Sequence, residues 1–393
     1  MKKKYLPDTH QPDKKILKAL QSLLGKKTRA VHEPYFGGKE KVYIEDCIES
    51  TYVSSLGDYV NRFERELAEY TGAKRSIVVV NGTAALQVAL KVAGVAAGDE
   101  VIIPSLTFVA TANAVHYVGG IPHLADVEES TLGLDPSALR SWLNKSAEKT
   151  TGGFRNKKTG RRISTLVPMH AYGHPCNIDG LLAVAKDFQL SLVEDAAESL
   201  GSFYQNRHTG TFGKLGTLSF NGNKIITTGG GGAILTNDEK LADYTKHLVT
   251  TAKVPNQLKS THDEIGYNFR MPNLNAALGC AQLEQLPDFL ASKRRLYESY
   301  RNAISHIKSI RLMSEPAGCV SNYWLQTIIL NKEISDQLDK ILETTCRAGI
   351  ITRPTWELMH NLEMYKYSPR APLPVSESLS KRIINLPSGV NLV

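Results

Sequence analysis

Three short segments carry residue types that could do chemistry together. The first is Asn81-Gly82-Thr83-Ala84-Ala85, between a short β-branched run and an Ala/Leu-rich stretch. A glycine lets the backbone approach a ligand closely, and helix N-terminal amides with a threonine hydroxyl make an anion site. The second is Leu192-Val193-Glu194-Asp195-Ala196-Ala197-Glu198, an apolar run ending in carboxylates. At the carboxyl edge of a parallel sheet, where ligands bind, a buried Asp195 calls for a cationic partner, and a protonated pyridine nitrogen is one. The third is Leu218-Ser219-Phe220-Asn221-Gly222-Asn223-Lys224, followed by Thr227-Thr228-Gly229-Gly230-Gly231-Gly232. An amine among apolar residues loses its charge more readily and becomes nucleophilic. Each segment also has an ordinary reading: a turn that binds nothing, a helix-capping carboxylate, an exposed loop lysine. Taken in order, a phosphate cradle, a strand-end Asp and a Gly-flanked Lys are what pyridoxal phosphate (PLP) requires.

The elements that must position these residues are legible in the hydrophobic pattern. Ser76–Val80, Glu100–Ile103, Ile163–Pro168 and Leu190–Val193 read as strands. Asn61–Tyr70, Thr83–Val95, Thr111–Tyr117 and Asp179–Phe188 read as helices. The alternation predicts a mostly parallel sheet covered on both faces. Residues 144–162 are polar, Gly-containing and basic, and read as a surface hairpin or loop. A helical pattern from Leu283 to Ser305 is expected to lead as one long helix into a smaller domain. The expected division is an N-terminal extension over 1–35 with a helix near Lys14–Leu24, a large domain over 36–285 and a small C-terminal domain over 286–393.

Composition narrows the function. The chain of 393 residues carries 47 Lys and Arg against 39 Asp and Glu, a net charge of +8. Solvated surface is the simpler account of that charge, and the sharper one is a field that suits an anionic substrate such as a nucleotide diphosphate. No motif of nucleic-acid recognition accompanies the charge. No apolar run is long enough for a membrane span, and the basic N-terminus has no apolar segment behind it, so no signal peptide is expected. The five cysteines are scattered, with no disulfide framework or metal cluster, which suits a reduced cytoplasm.

With these residues in view, the chain resembles the DegT/DnrJ group of nucleotide-sugar aminotransferases, from about Val53 to the end. The resemblance rests on Asn81-Gly82-Thr83-Ala84-Ala85, the run from Pro104 to Ala114, Glu194 to Glu198, Ser219 to Lys224, and Gly266-Tyr267-Asn268-Phe269-Arg270-Met271. It implies an α/β fold of the aspartate-aminotransferase type (fold type I) with PLP as cofactor. It implies Lys224 as the Schiff-base lysine and proton shuttle, Asp195 on the pyridine nitrogen, Glu198 on the ring hydroxyl and Phe108 on the ring face. Thr83, Ala84 and Ser219 would hold the phosphate. Asn268 would reach the cofactor phosphate of a neighbouring subunit, so a homodimer with shared sites is implied.

Two departures stand out: Gly230 replaces the Glu that many members carry after the Thr-Thr pair, and Glu198 replaces a Gln. A subset acting on UDP-4-keto-6-deoxy-N-acetylglucosamine shares both, and the likeness is greatest to enzymes of legionaminic-acid-type pathways, then to those of bacillosamine. Glutamate would be the amino donor. A dehydratase branch has His in place of the lysine, so Lys224 favours transamination. His170, Tyr172 and His174 follow a predicted strand and are candidates to line the pocket or to serve as turn residues. Ser54, Ser55, Gly57, Arg353 and Trp356 are candidates for sugar or nucleotide contacts. The alternatives are a keto-sugar aminated at C3 or carried on dTDP or GDP, a cofactor-binding regulator without turnover, and a plain nucleotide-binding protein.

Overall fold

Short aliphatic runs assemble into one large sheet. In the computed structural model, which describes residues 11–25, 27–255 and 259–392, its main strands lie in the order Arg75–Val79, Gly232–Thr236, Leu215–Ser219, Ser191–Asp195, Arg162–Leu166, Glu100–Pro104 and Ile121–Ala125. The pairings from Leu215–Ser219 through Ile121–Ala125 are all parallel, and Gly232–Thr236 runs antiparallel to both its neighbours. Glu100–Pro104 and Gly232–Thr236 are buried at every position, as expected of strands with helices over both faces. The hairpin of Ala147–Thr150 and Gly153–Asn156 joins the same sheet through Arg162–Leu166, so the polar excursion read from the sequence is an ordered β-ribbon.

The helix Gly82–Ala93 is apolar nearly all round, because it packs between the sheet and neighbouring helices. Its start is fixed by Asn81, whose side chain accepts a hydrogen bond from the Ala84 amide at 2.8 Å. The expected helix from Leu283 to Ser305 is instead two helices. Asn273–Glu284 ends at Gln285, and Leu286–Ile304 begins there. Pro287 explains the break: it lacks the N–H needed for a continuing helix but is tolerated in a first turn.

A second, four-stranded antiparallel sheet is built from Ile310–Leu312, Gln326–Leu330, Ile383–Leu386 and Arg353–Pro354. The helices Leu286–Ile304 and Leu338–Arg347 pack with it. So does the helix Pro12–Leu24, whose Ile16, Leu20 and Leu24 are buried beside Leu296 and Tyr300. Burying each such side chain contributes about 2 kcal/mol relative to leaving it in water.

Candidate active site

The carboxyl ends of the parallel strands, with Asn81-Gly82-Thr83 after Arg75–Val79, surround one cavity of 330 Å³. Gly82, Thr83, Phe108, Asp195, Glu198, Ser219, Lys224 and Trp356 all line it. Those residues are spread over 275 positions of sequence (356 − 82 + 1), and the topology alone brings them together.

The anion cradle is a helix start facing a strand end. The first intrahelical bond is made by the Ala85 amide to the Asn81 carbonyl, so the amides of Gly82, Thr83 and Ala84 precede it. Asn81 takes the Ala84 amide, which leaves those of Gly82 and Thr83 beside the Ser219 hydroxyl. A Cβ on Gly82 would lie 2.8 Å from Ser219 Cβ, so only glycine permits this approach. Gly82→Ala is therefore expected to push the two walls apart and weaken PLP binding about tenfold, for an overpacking cost of about 1–3 kcal/mol. An absorbance titration checks this; unchanged affinity would remove Gly82 from the cradle.

Successive residues of a strand point to opposite faces, and this separates the two strand-end carboxylates. Asp195 faces the cavity. Its Oδ2 accepts from the Thr111 hydroxyl at 2.7 Å and its Oδ1 from the Ala197 amide at 3.2 Å. It is buried, and no cationic side chain pairs with it among the described residues. A buried carboxylate in that condition suits a cationic ligand atom. Glu194 points the other way. It accepts the amides of Gly210, Phe212 and Gly213 at 2.7–2.8 Å, and it meets His170 Nε2 at 3.2 Å. Burial pushes the Glu194 carboxyl up, but His170 and these amides hold it below the usual range. Its work is to pin the loop that follows.

Lys224 projects into the cavity with its side chain 12% exposed. Its Nζ lies 3.2 Å from Glu198 Oε1 and 4.0 Å above the centre of the Trp324 ring. Trp324 is fixed through its indole N–H, which donates to the Asn223 carbonyl at 2.7 Å, and through its own carbonyl, which accepts from the fully buried Lys293 at 2.8 Å. Burial lowers the Lys293 pKa well below its ordinary value. Glu198 Oε2 accepts the Tyr172 amide at 2.8 Å.

Burial, helped by Asp195, pushes the Glu198 carboxyl up to about 7, against the opposing pull of Lys224 and the Tyr172 amide. A carboxyl raised on folding keeps its proton where the unfolded chain has lost it. Its contribution is fully present below the ordinary value of 4.5 and is lost as pH rises toward 7. Over that window it changes stability by about 3 kcal/mol. Glu198→Gln does not titrate, so in PLP-free protein its stability relative to wild type should improve by about that amount between pH 4.5 and pH 8. Denaturant unfolding at the two pH values reads the difference; a constant gap refutes the raised carboxyl.

The remaining sequence candidates fall into two groups. Tyr172, His170 and His174 form a layer behind the cavity wall. Tyr172 stacks on Trp356 at 4.8 Å between ring centres, and its hydroxyl meets Thr355 Oγ1 at 2.6 Å. His170 Nδ1 accepts the Cys176 amide, so its Nε2 carries the proton toward Glu194. His174 binds Ser321 at 2.9 Å, and burial lowers its pKa to about 4. Ser54, Ser55, Gly57, Asn268 and Arg353 lie off the cavity of this chain. The Ser54 carbonyl accepts the Asn273 amide, Gly57 packs on the Asn273 side chain, and Arg353 and Asn268 are exposed. Ala84 is present only through its capped amide. Thr111, Met169, Asn223 and Trp324 were given no role by sequence reasoning. Thr111 lies in the run from Pro104 to Ala114, the one signal that could have marked it, and its hydroxyl meets that of Thr107 at 3.0 Å.

The strand-end carboxylate, the anion cradle and the lysine over Trp324, set on a mostly parallel sheet, define a PLP-dependent enzyme of the aminotransferase fold. A sequence profile described as the DegT/DnrJ/EryC1/StrS aminotransferase family matches residues 34–393. EpsN of Bacillus subtilis, named as a pyridoxal phosphate-dependent aminotransferase, is 37% identical over 363 residues, covering 91% of this chain and 90% of that protein. GDP-perosamine synthase of Escherichia coli O157:H7 is 36% identical over 370 residues, covering 92% and 93%. The solved structure of Helicobacter pylori PseC, an aminotransferase of pseudaminic acid biosynthesis, superposes with a TM-score of 0.84 at 25% identity, covering 93% and 95%. The chain belongs to the DegT/DnrJ/EryC1/StrS aminotransferase family, and it is a PLP-dependent aminotransferase.

Proposed function

We propose that this aminotransferase acts on a nucleotide-linked keto-sugar, with UDP-4-keto-6-deoxy-N-acetylglucosamine as acceptor and glutamate as donor. The product would be the 4-amino-4,6-dideoxy sugar, used in surface-glycan or legionaminic-acid-like biosynthesis. The observation that carries the transamination reading is the Lys224 amine, 3.2 Å from Glu198 in the cavity that Asp195 also lines. The sugar class is supported by the relatives' names, and the UDP carrier by Glu198 and Gly230 in the sequence. A second reading, a GDP carrier, is favoured by three relatives named GDP-perosamine synthase at 34–36% identity.

When bound, PLP supplies the electron sink that accepts the carbanion's charge during amino transfer. The chain's residues do the rest. The Gly82 and Thr83 amides and the Ser219 hydroxyl would hold the phosphate, and Asp195 would balance a cationic ring nitrogen. Phe108, half exposed at the cavity mouth, would cover one ring face. Lys224 Nζ would take a proton from one carbon and return it to the other. Glu198 would keep that amine in place and contact the ring hydroxyl. Trp356, backed by Tyr172, would form a wall toward the sugar.

We also propose a homodimer. Tyr35, Phe36, Val42, Ile48, Tyr52 and Leu56 are large apolar side chains exposed along one stretch of chain, a pattern that marks association surfaces. Asn268 would complete a partner's site. Sedimentation velocity tests the assembly, and a monomer at all concentrations refutes it. Among the described residues no helix is long and apolar enough to cross a membrane.

The test of substrate is a mass-spectrometric assay with PLP, glutamate and the UDP-, GDP- or dTDP-linked 4-keto-6-deoxy sugars. Amination of the UDP sugar at the highest kcat/KM supports the proposal. Preference for the GDP sugar selects the second reading, and absence of any aminated sugar overturns both.

A further inference from the structure

A second cleft lies at the far edge of the large sheet and shares no residue with the Lys224 cavity. It measures 440 Å³, a volume within the range of small-molecule sites. Its walls carry Lys157, Lys158 and Arg161 from the turn after the hairpin, and Lys366 and Arg370 from a loop near the C-terminus. No carboxylate lines it. Lys366 is paired with Glu363 at 2.5 Å, whereas Lys157 and Arg370 donate only to the carbonyls of Lys145 and Lys366. Lys158 and Arg161 make no side-chain hydrogen bond or ion pair among the described residues.

The turn is held rigid from beneath. Glu100 is fully buried, accepting from Asn156 Nδ2 at 2.9 Å and from the Thr159 hydroxyl at 2.5 Å. His123 Nδ1 meets the same carboxylate at 2.8 Å. Trp142, on the cleft floor, donates its indole N–H to His123 Nε2 at 2.9 Å, so Nδ1 holds the imidazole proton. The turn closes through Gly160 N to Asn156 O and Asn156 N to Arg161 O. The opposite wall is strapped to the strand Ile121–Ala125 by Leu124 N to Pro369 O and Ala371 N to Leu124 O. Tyr367, 88% exposed, stands at the rim with Lys366 Nζ 4.9 Å over one face of its ring, which leaves the other face to stack.

Like charges gathered on rigid walls repel one another, and an anion between them relieves that repulsion. Arg and Lys together match phosphate oxygens, and an exposed aromatic ring accepts the face of a base. We propose that this cleft binds a nucleoside diphosphate, with the diphosphate on Lys158, Arg161 and Arg370 and the base against Tyr367. It is a binding site separate from the reacting centre, and the expected count of UDP sites rests on the UDP carrier proposed for that centre.

The experiment is calorimetric titration of the PLP-loaded full chain at low salt with UDP and with inorganic pyrophosphate. Wild type is expected to show two UDP sites per chain. Lys158→Ala/Arg161→Ala should weaken one of them at least tenfold and leave the other, with the melting temperature unchanged. Tyr367→Ala should weaken UDP but not pyrophosphate at that site. A single UDP site that the double variant does not alter overturns the proposal. So does binding of the chain to anionic phospholipid vesicles, lost in the double variant, without any second UDP site.

Discussion

Lys224→Ala is expected to lower the rate of amino transfer by about 10⁴-fold or more, the scale of losing a positioned acid–base group that is also the nucleophile. The geometry explains why no neighbour can substitute. Lys293, held against the same Trp324, has its amine turned onto the carbonyls of Trp324 and Ser388. The loss should come without unfolding. Removing Nζ leaves Glu198 without its cation, but a carboxyl whose pKa is already about 7 can take up a proton instead. Lys224→Arg should fail as badly, since a guanidinium does not give up its proton. Borohydride reduction and mass spectrometry should place PLP on residue 224 of the wild type and nowhere in Lys224→Ala. Partial recovery with added methylamine would separate loss of the amine from loss of structure. A variant within tenfold of wild type would refute the role.

The sequence disclosed this site because its parts are local. Asn81 to Thr83, Asp195 to Glu198 and Ser219 to Lys224 each sit at a strand end, where a β-branched run meets a turn, and the alternating pattern orders those ends along one edge. What it did not disclose depends on the return of distant chain. Trp324 lies 100 positions beyond Lys224 and follows no periodic pattern, yet it forms the surface beneath the amine. Glu194 and Asp195 look equivalent on paper. Only the strand pleat sends one to the cavity and the other to the loop at Gly210–Gly213. His170 and Tyr172 were legible as residues after a strand, but not as a layer behind the wall, because burial depends on what packs over them. The helix break at Gln285 was written in Pro287, and the strong apolar spacing on either side concealed it.

Asp195→Asn is expected to cost about 10³-fold in transamination rate, near the upper end for losing one preorganised electrostatic contact. The substitution is close to isosteric, so it tests charge rather than shape. With its oxygen on the Ala197 amide, the Asn side chain turns its Nδ2 to the Thr111 hydroxyl, which can accept from it, so the side chain should keep its place. What vanishes is the negative charge in a buried position that no lysine or arginine of the described chain neutralises. Without it a bound pyridine nitrogen has no reason to hold a proton, and the ring becomes a poorer acceptor of electrons. Two readouts distinguish this from a packing defect. Stability of the PLP-free protein should hold or rise, because an unpaired buried charge has been removed. PLP should still be trapped on Lys224, because the amine and the cradle are intact. If Asp195→Asn keeps a rate within tenfold of wild type, the carboxylate serves the Thr111 hydroxyl and the Ala197 amide alone. Its role would then match that of Glu194 on the opposite face of the strand.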